Sequence, residues 1–290
     1  MSETSRLEAV RAITWMSGAI VSFSAMAIAG REVSFDLDTF EIMTWRSLVG
    51  IFIVGSVLTL RRRWQDVSLK NLPLHGLRNL FHFTGQNLWF YAISVIPLAQ
   101  VFALEFTAPL WVLVASPLVL GERLTKVRAL SALIGFVGIL IVTRPGSAPL
   151  SAGLICAALA AIGFAGTALL TRRLTRSETI FGILFWLTVM QATFGLICAG
   201  FDGDIALPSA ATAPWLLLIG CAGLLAHFCL TTALSLAPAT LVMPVDFTRL
   251  PLIAIIGVLF YGESLDVFVL IGAAVIFAGN YLNIWHETRA

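Results

Sequence analysis

The sequence predicts an all-α integral membrane protein whose ten transmembrane helices form two inverted five-helix repeats. Hydrophobic residues make up 59% of the 290 residues and charged residues only 12%, whereas about a quarter of residues are charged in a soluble domain. Ten apolar stretches are long enough to cross the roughly 30 Å hydrocarbon core of a bilayer. In addition, the second half of the chain repeats the first at a constant offset of 141 residues.

The predicted spans follow one another with short connections. In chain order they are Ala12–Gly30, Phe40–Leu60, Leu77–Val95, Leu98–Leu120, Val127–Thr143, Ala152–Leu170, Ile180–Ala199, Pro214–Leu236, Ala239–Tyr261 and Val267–Trp285. The third is polar and the fifth is short. The longest connections, Arg61–Gly76 and Gly200–Ala213, are too short to hold a soluble catalytic domain.

The repeat is ungapped through the middle of each half. Ala92, Ser94, Pro97, Val101, Phe106, Thr107, Gly121, Glu122 and Leu124 recur as Ala233, Ser235, Pro238, Val242, Phe247, Thr248, Gly262, Glu263 and Leu265. The same offset relates Phe23 to Phe164. We therefore expect repeats at residues 1–146 and 147–290. Five helices per repeat is an odd number, so the second copy enters from the opposite side, a symmetry that suits alternating access.

Positive charge predicts the orientation. With a cytoplasmic N-terminus, fourteen Lys and Arg residues, including Arg78, fall in inner loops and tails, and only Arg31 and Arg144 in outer loops. Cytoplasmic loops are enriched in such residues, so both termini are predicted to be cytoplasmic. Arg6 and Arg11 before an apolar run also resemble a cleavable signal peptide. An uncleaved first span is favoured, because cleavage would remove the repeat partner of the sixth.

Six side chains are the clear cases of an ionisable group well inside the predicted spans, where each is costly to bury. They are Arg46, His82, Glu105, His227, Asp246 and Arg249. Glu105 and Asp246 are equivalent in the two repeats, and each lies about eight residues, or roughly 12 Å, into its span. Arg46 is predicted at the depth of Glu105, and Arg249 shares a helical face with Asp246.

Two interpretations of these charges remain open. In one, Arg46–Glu105 and Asp246–Arg249 are structural ion pairs. In the other, the four residues bind charged groups of a substrate or exchange protons during transport.

The third span carries a polar stripe at helical spacing. Asn79, His82 and Gln86 follow one another and the stripe continues to Trp89. Such a stripe turns away from lipid, and lining a cavity is favoured over cross-linking helices. In the second repeat the equivalent stripe holds two glycines and His227, so the predicted site is asymmetric.

Prolines and glycines predict the shape and packing of the spans. Pro109 and Pro117 in the fourth span, and Pro244 and Pro251 in the ninth, favour kinks. Pro109 could leave a carbonyl free near Glu105. Glycines in the fifth, sixth and tenth spans favour close helix packing within the bundle, and a dimer interface stays an alternative.

The sequence lacks the motifs that mark several other classes of protein. The four cysteines lie inside spans without metal-ligand spacing, so neither a metal site nor a cofactor is expected. The phosphate-loop pattern GxxxxGKS/T, HExxH and GxSxG are all missing. The net charge of +2 carries no indication of nucleic-acid binding.

The chain resembles the drug/metabolite transporter superfamily and its EamA-type permeases. The resemblance rests on the proline turns at Pro97 and Pro238, the acidic-Phe-Thr segments at Glu105 and Asp246, and the Gly-Glu turns at Glu122 and Glu263. It covers essentially the whole chain. Arg46 also resembles an arginine often found in the family's second helix. The resemblance implies a bacterial inner-membrane permease for small organic molecules, commonly an exporter. Related members import riboflavin or S-adenosylmethionine.

These observations favour a secondary transporter of a small polar or zwitterionic metabolite or drug, with export as the favoured direction. Arg46 would hold a carboxylate, and Glu105 or Asp246 an amine or a coupling proton. Uptake or exchange is the alternative within the family, and a membrane-embedded enzyme or a channel is a remote one. Partners are a small-molecule substrate and the lipid bilayer, with protons as an open question. A monomer and a homodimer are equally compatible with the sequence.

Overall fold

The computed structural model describes residues 3–121, 126–144, 150–201, 203, 205–264 and 266–289. The regular structure of these residues is helical. The α-helices are α1 (Glu3–Val33), α2 (Thr39–Leu60), α3 (Leu72–Val95), α4 (Leu98–Glu105), α5 (Ala108–Leu120), α6 (Lys126–Thr143), α7 (Ala152–Leu174), α8 (Ile180–Ala199), α9 (Ala213–Leu236), α10 (Ala239–Val242), α11 (Arg249–Tyr261) and α12 (Val267–Arg289). Two 3₁₀ segments lie at Trp64–Asp66 and Met243–Thr248.

The helices form ten spans, which confirms the predicted fold class. Within the described residues, the six spans formed by α1, α2, α4–α5, α7, α8 and α9 are long and apolar enough to cross a bilayer on their own. The others are shorter within the described residues or, like α3, contain polar residues. Of these, α3 packs on α7 and α6 packs on α12. Large apolar side chains cover the outside of the bundle, among them Leu118, which is 90% exposed. A surface of this kind is suited to lipid rather than water.

The structure repeats at the offset found in the sequence. Adding 141 to the bounds of α3 (72–95) gives 213–236, the bounds of α9, and adding it to α5 (108–120) gives 249–261, the bounds of α11. Packing between the repeats follows the same symmetry. The first helix of each repeat packs on the third helix of the other, so α1 packs on α9 and α7 packs on α3. In addition, α2 packs on α8, and α6 packs on α12. Each repeat therefore completes its packing only with helices of the other.

The fourth and ninth spans are interrupted in the region where their prolines favour a kink. The fourth span divides after Glu105. There the Thr107 N–H donates a hydrogen bond to the Leu104 carbonyl at 3.0 Å, and the Thr107 hydroxyl donates to the same oxygen at 2.7 Å. Pro109 has no N–H to donate to the Glu105 carbonyl four residues earlier, so α5 restarts with proline in its first turn. The ninth span passes through the 3₁₀ segment at the equivalent place.

Close backbone contacts join the helices, as the glycines predict. A Cβ atom added to Gly163 of α7 would lie 2.8 Å from the Cα atom of Gly85 in α3, and one added to Gly138 of α6 would lie 2.8 Å from the Gly272 carbonyl in α12. Only glycine allows such approach. These glycines therefore pack inside the bundle.

Arg78 does not lie in an inner loop, contrary to the expectation from charge counting. The helix α3 begins at Leu72, so Arg78 falls in its second turn and is 1% exposed. Arg123, another of the fourteen residues assigned to the inner side, lies outside the described residues, and the orientation stays a prediction.

Candidate functional site

A cavity of about 60 Å³ lies where the two broken spans meet the polar stripe of α3. Because each break interrupts the helix at an acidic residue, both carboxylates reach the same space. The side chains around this central cavity combine aromatic rings, two histidines and one buried ion cluster. They include Phe23, Met26, His82, Gln86, Trp89, Glu105, Phe106, Phe164, Thr167, His227, Asp246 and Arg249.

One arginine holds both carboxylates. The Nη2 atom of Arg249 lies 2.5 Å from Oε1 of Glu105 and 2.6 Å from Oδ2 of Asp246. The side chain of Arg249 is 2% exposed, whereas those of Glu105 and Asp246 are 12% and 14% exposed. All three side chains line the cavity, and the two carboxylates are more exposed than the guanidinium. Asp246 Oδ1 has no hydrogen-bond partner in the part of the chain that the structure describes.

Aromatic residues fix the position of this cluster. The Arg249 guanidinium carbon lies 4.6 Å from the ring centre of Phe102 and 5.4 Å from that of Phe23, distances at which a cation is attracted to a ring face. The indole N–H of Trp89 donates to Oε2 of Glu105 at 2.7 Å. Each Glu105 oxygen thus has a different donor, so the carboxylate is held in one orientation.

The two histidines meet on the wall of the cavity. The rings of His82 and His227 have centres 4.6 Å apart and lie edge to face. Both are buried, and within the described residues neither ring has a hydrogen-bond partner at either nitrogen, nor has the Gln86 side-chain nitrogen. Buried polar groups without partners are rare in native proteins. Here they supply hydrogen-bonding capacity beside the carboxylates.

The structure gathers seven of the nine residues named from the sequence and separates two. Glu105, Asp246, Arg249, His82, Gln86, Trp89 and His227 line the central cavity. Asn79 instead bonds the His75 carbonyl at 2.9 Å through its amide nitrogen and accepts from Arg78 at 3.0 Å. Arg46 faces a different, smaller cavity between α2, α8 and α9. The structural pair considered for Arg46 and Glu105 is not formed, because Glu105 pairs with Arg249 across the repeats.

Several lining residues were not named from the sequence as site residues. Phe23 and Phe164 are related by the 141-residue offset and both line the cavity. Their recurrence was the signal that could have found them. Phe102 escaped notice because an aromatic side chain in an apolar span usually packs in the core, and its role appears only once Arg249 stacks on it.

The Gly-Glu turn of the second repeat contacts the first repeat. Glu263 forms an ion pair with Arg31 at the end of α1, and its carboxylate accepts from the Leu98 N–H at 3.0 Å. The free N–H groups at the start of a helix attract a carboxylate, so Glu263 caps α4 of the first repeat. Its counterpart in the first repeat, Glu122, lies outside the described residues.

The chain matches known transporters over most of its length. Residues 10–144 and 151–285 each match the EamA-like transporter family. A riboflavin transporter of Rhizobium johnstonii is 28% identical over 100% of this chain and 97% of its own. An S-adenosylmethionine uptake transporter of Rickettsia bellii is 24% identical over 96% of this chain and 94% of its own. A pseudopaline exporter of Pseudomonas aeruginosa is 29% identical over 88% of this chain and 89% of its own.

Proposed function

Because the chain belongs to the EamA-like transporter family, we propose that its central cavity carries a small polar or zwitterionic organic metabolite that bears an amine or another cationic group. The chain is a multi-pass membrane transporter and not an enzyme. The observation that supports this substrate class is the ion cluster. Glu105 and Asp246 carry two formal negative charges against one positive charge on Arg249, and both carboxylates face the cavity.

A cationic group completes this cluster. In a low-dielectric site, an uncompensated charge is costly and a matching charge is bound strongly. Asp246 Oδ1 has no hydrogen-bond partner among the described residues and would accept a hydrogen bond from such a group. The aromatic residues Phe23 and Phe164 add apolar surface for the rest of the molecule. His82 and Gln86 supply hydrogen bonds that fix its orientation.

Transport requires the cavity to change size. A volume of about 60 Å³ holds only a few water molecules, whereas pockets for organic ligands usually measure about 300–1,000 Å³. The breaks in the fourth and ninth spans are the places where the helices can bend apart. Inverted repeats alternate between two openings by exchanging the conformations of their halves. The small volume is consistent with a state between those openings.

We propose export as the direction and uptake as the second candidate. The similarity to a pseudopaline exporter supports the first, and the similarity to S-adenosylmethionine uptake transporters supports the second. S-adenosylmethionine combines a sulfonium cation with an amino-acid group and an aromatic purine, a combination that the cluster and its rings would suit. We further propose an inner-membrane location with both termini cytoplasmic and a proton as the coupling ion.

The test is uptake into sealed proteoliposomes from a mixed metabolite pool, followed by mass spectrometry, with and without an imposed pH gradient. Amines and zwitterions are expected to accumulate and simple carboxylic acids are not. Accumulation that increases with the gradient supports proton coupling. Accumulation that does not depend on the gradient would contradict proton coupling but would leave the proposed substrate class in place. If folded protein accumulates only anions, the proposed substrate class is wrong.

A further inference from the structure

Arg46 of α2 is a buried charge without an anionic partner in the part of the chain that the structure describes. The residue is 6% exposed, and among the described residues its guanidinium bonds only the Met43 sulfur, at 3.7 Å. A thioether is a weak acceptor and carries no charge. Because a buried charge that is not balanced is costly, the guanidinium is suited to an anionic group that comes from outside the chain.

The guanidinium of Arg46 lies beside the wall of the central cavity. A Cβ atom added to Gly223 of α9 would lie 2.9 Å from Arg46 Nη2 and 3.3 Å from the sulfur of Met26. The guanidinium and this thioether therefore lie against the same point of α9. Met26 lines the central cavity. So does His227, which follows Gly223 by one helical turn on the same face of α9.

The two repeats differ at the positions that make this arrangement. The 141-residue offset relates Gly223 to His82 and Arg46 to Leu187. A side chain at position 223 would take up space that the guanidinium now occupies, so the glycine makes room for the arginine. The second repeat has a leucine where the first has this arginine. The chain therefore places a cationic group next to the cavity on one side only.

Met26 is the side chain that an anionic group would displace to reach Arg46. The separate cavity of about 10 Å³ beside Arg46 has room for one water molecule, which hydrates the guanidinium but does not neutralise it. A larger anionic group would approach from the central cavity. Methionine has three rotatable bonds and adapts its shape readily. Its terminal sulfur and methyl group are similar in size to a carboxylate, so a rotation of Met26 makes room for one.

We propose that the transported solute is a zwitterion whose carboxylate binds Arg46 while its cationic group binds Glu105 and Asp246. This inference rests on the proposed function and narrows its substrate class from amines in general to molecules that also carry a carboxylate. When the cavity opens to hold the solute, Met26 moves aside and the carboxylate enters beside Gly223. Guanidinium and carboxylate groups form strong charge-assisted hydrogen bonds. A simple amine leaves Arg46 without a counter-charge.

Paired probes in proteoliposomes test this assignment. The external pool contains amino acids together with the amines that lack only their α-carboxyl group, such as phenylalanine with phenethylamine. Mass spectrometry gives the accumulation of each, after subtraction of protein-free liposomes. The parent protein should favour the amino acid roughly 10- to 100-fold, the effect of a hydrogen bond to a charged group. R46L introduces the residue of the second repeat and should equalise the pair while amines still accumulate. R176Q, a change of an exposed arginine after α7, should keep the parental ratio.

A second variant leaves Arg46 in place. G223A puts a methyl group 2.9 Å from Arg46 Nη2, so it should lower the ratio of amino acid to amine without reducing amine accumulation. G55A, whose methyl group meets nothing within 4 Å, is the control. Unfolding in detergent adds a readout without transport. Because R46L removes an unbalanced buried charge, its unfolding temperature should equal or exceed that of the parent.

The outcomes separate this inference from the proposed function. Equal accumulation of amine and amino acid by the parent protein would overturn the inference and leave the cationic substrate class in place. A parental ratio in R46L, or an unfolding temperature several degrees lower, would overturn it as well, the latter because Arg46 would then stabilise the fold. If neither amines nor amino acids accumulate in vesicles with folded protein, the proposed function fails and this inference fails with it.

Discussion

At the scale of single residues, the arrangement around Arg249 explains why two carboxylates can persist in the middle of a membrane protein. One guanidinium bonds both of them, and all three side chains line the cavity. A buried pair of this kind adds little stability, because desolvation offsets most of the attraction. We propose that this pair instead presents a fixed negative charge to a solute.

The indole of Trp89 orients Glu105, and W89F removes that hydrogen bond while it keeps an aromatic ring against Phe90 and Phe102. A hydrogen bond to a charged group is worth about 1.5–3 kcal/mol, so transport at low substrate concentration should fall roughly 10- to 100-fold. W215F is the matched control, because Trp215 is partly exposed at the start of α9 and does not line the cavity. The measurement is the initial rate of transport into proteoliposomes for W89F and for W215F. Equal rates for W89F and the parent would show that Glu105 needs no such orientation.

At the scale of helices, the sequence predicts much of the site and misses its central contact. The 141-residue offset predicts that Glu105 and Asp246 are equivalent, and rise per residue predicts their similar depth. The depth of a residue does not give the direction in which its side chain points. Arg46 was therefore expected near Glu105, and the contact between Arg249 and Glu105 was not. The direction depends on the breaks after Glu105 and within the ninth span, which follow from how proline, Thr107 and neighbouring helices share hydrogen bonds.

P109A tests whether the break positions Glu105. Alanine restores an N–H that can donate to the Glu105 carbonyl, so α4 and α5 should join into a more regular helix. We expect transport to fall at least several-fold while the unfolding temperature stays the same or rises. P208A, in the loop before α9, is the control and should change neither quantity. Unaltered transport by P109A would mean that the broken backbone does not place the carboxylate.

G163A tests the close packing of α7 on α3. Its new methyl group would approach the Gly85 Cα atom at 2.8 Å, and overpacking of this kind costs about 1–3 kcal/mol. The unfolding temperature should therefore drop by several degrees. G55A in α2 is the control, because a methyl group there meets nothing within 4 Å. Equal unfolding temperatures for G163A and G55A would contradict the packing described.

At the scale of the whole molecule, the exchange of helix packing between repeats links the site to alternating access. The first helix of each repeat packs on the third helix of the other, so a movement of one repeat must displace the other. The carboxylates belong to different repeats and share one arginine. We expect the Glu263 contacts with Arg31 and Leu98 to hold one end of this arrangement closed.

E263Q tests that closure. The amide keeps the size of the side chain but removes the charge that attracts Arg31 and the start of α4. Spin labels at positions 34 and 264, on a background without the native cysteines, should show one short distance in the parent protein and an added, longer distance in E263Q. D36N, a change of an exposed carboxylate in the turn after α1, should leave the distances unchanged. Identical distance distributions for E263Q and the parent protein would mean that Glu263 does not hold this end closed.

The central claim is that Glu105 and Asp246 bind the transported solute. Counterflow in proteoliposomes tests it most directly, because exchange of labelled for unlabelled solute needs binding and alternating access but no driving gradient. With an amine or zwitterion identified from the metabolite pool, E105Q and D246N should each reduce exchange at least tenfold, while both proteins reconstitute and unfold cooperatively. D36N should exchange at the parental rate. Full exchange by E105Q and D246N would contradict the claim and leave both carboxylates as partners of Arg249 alone.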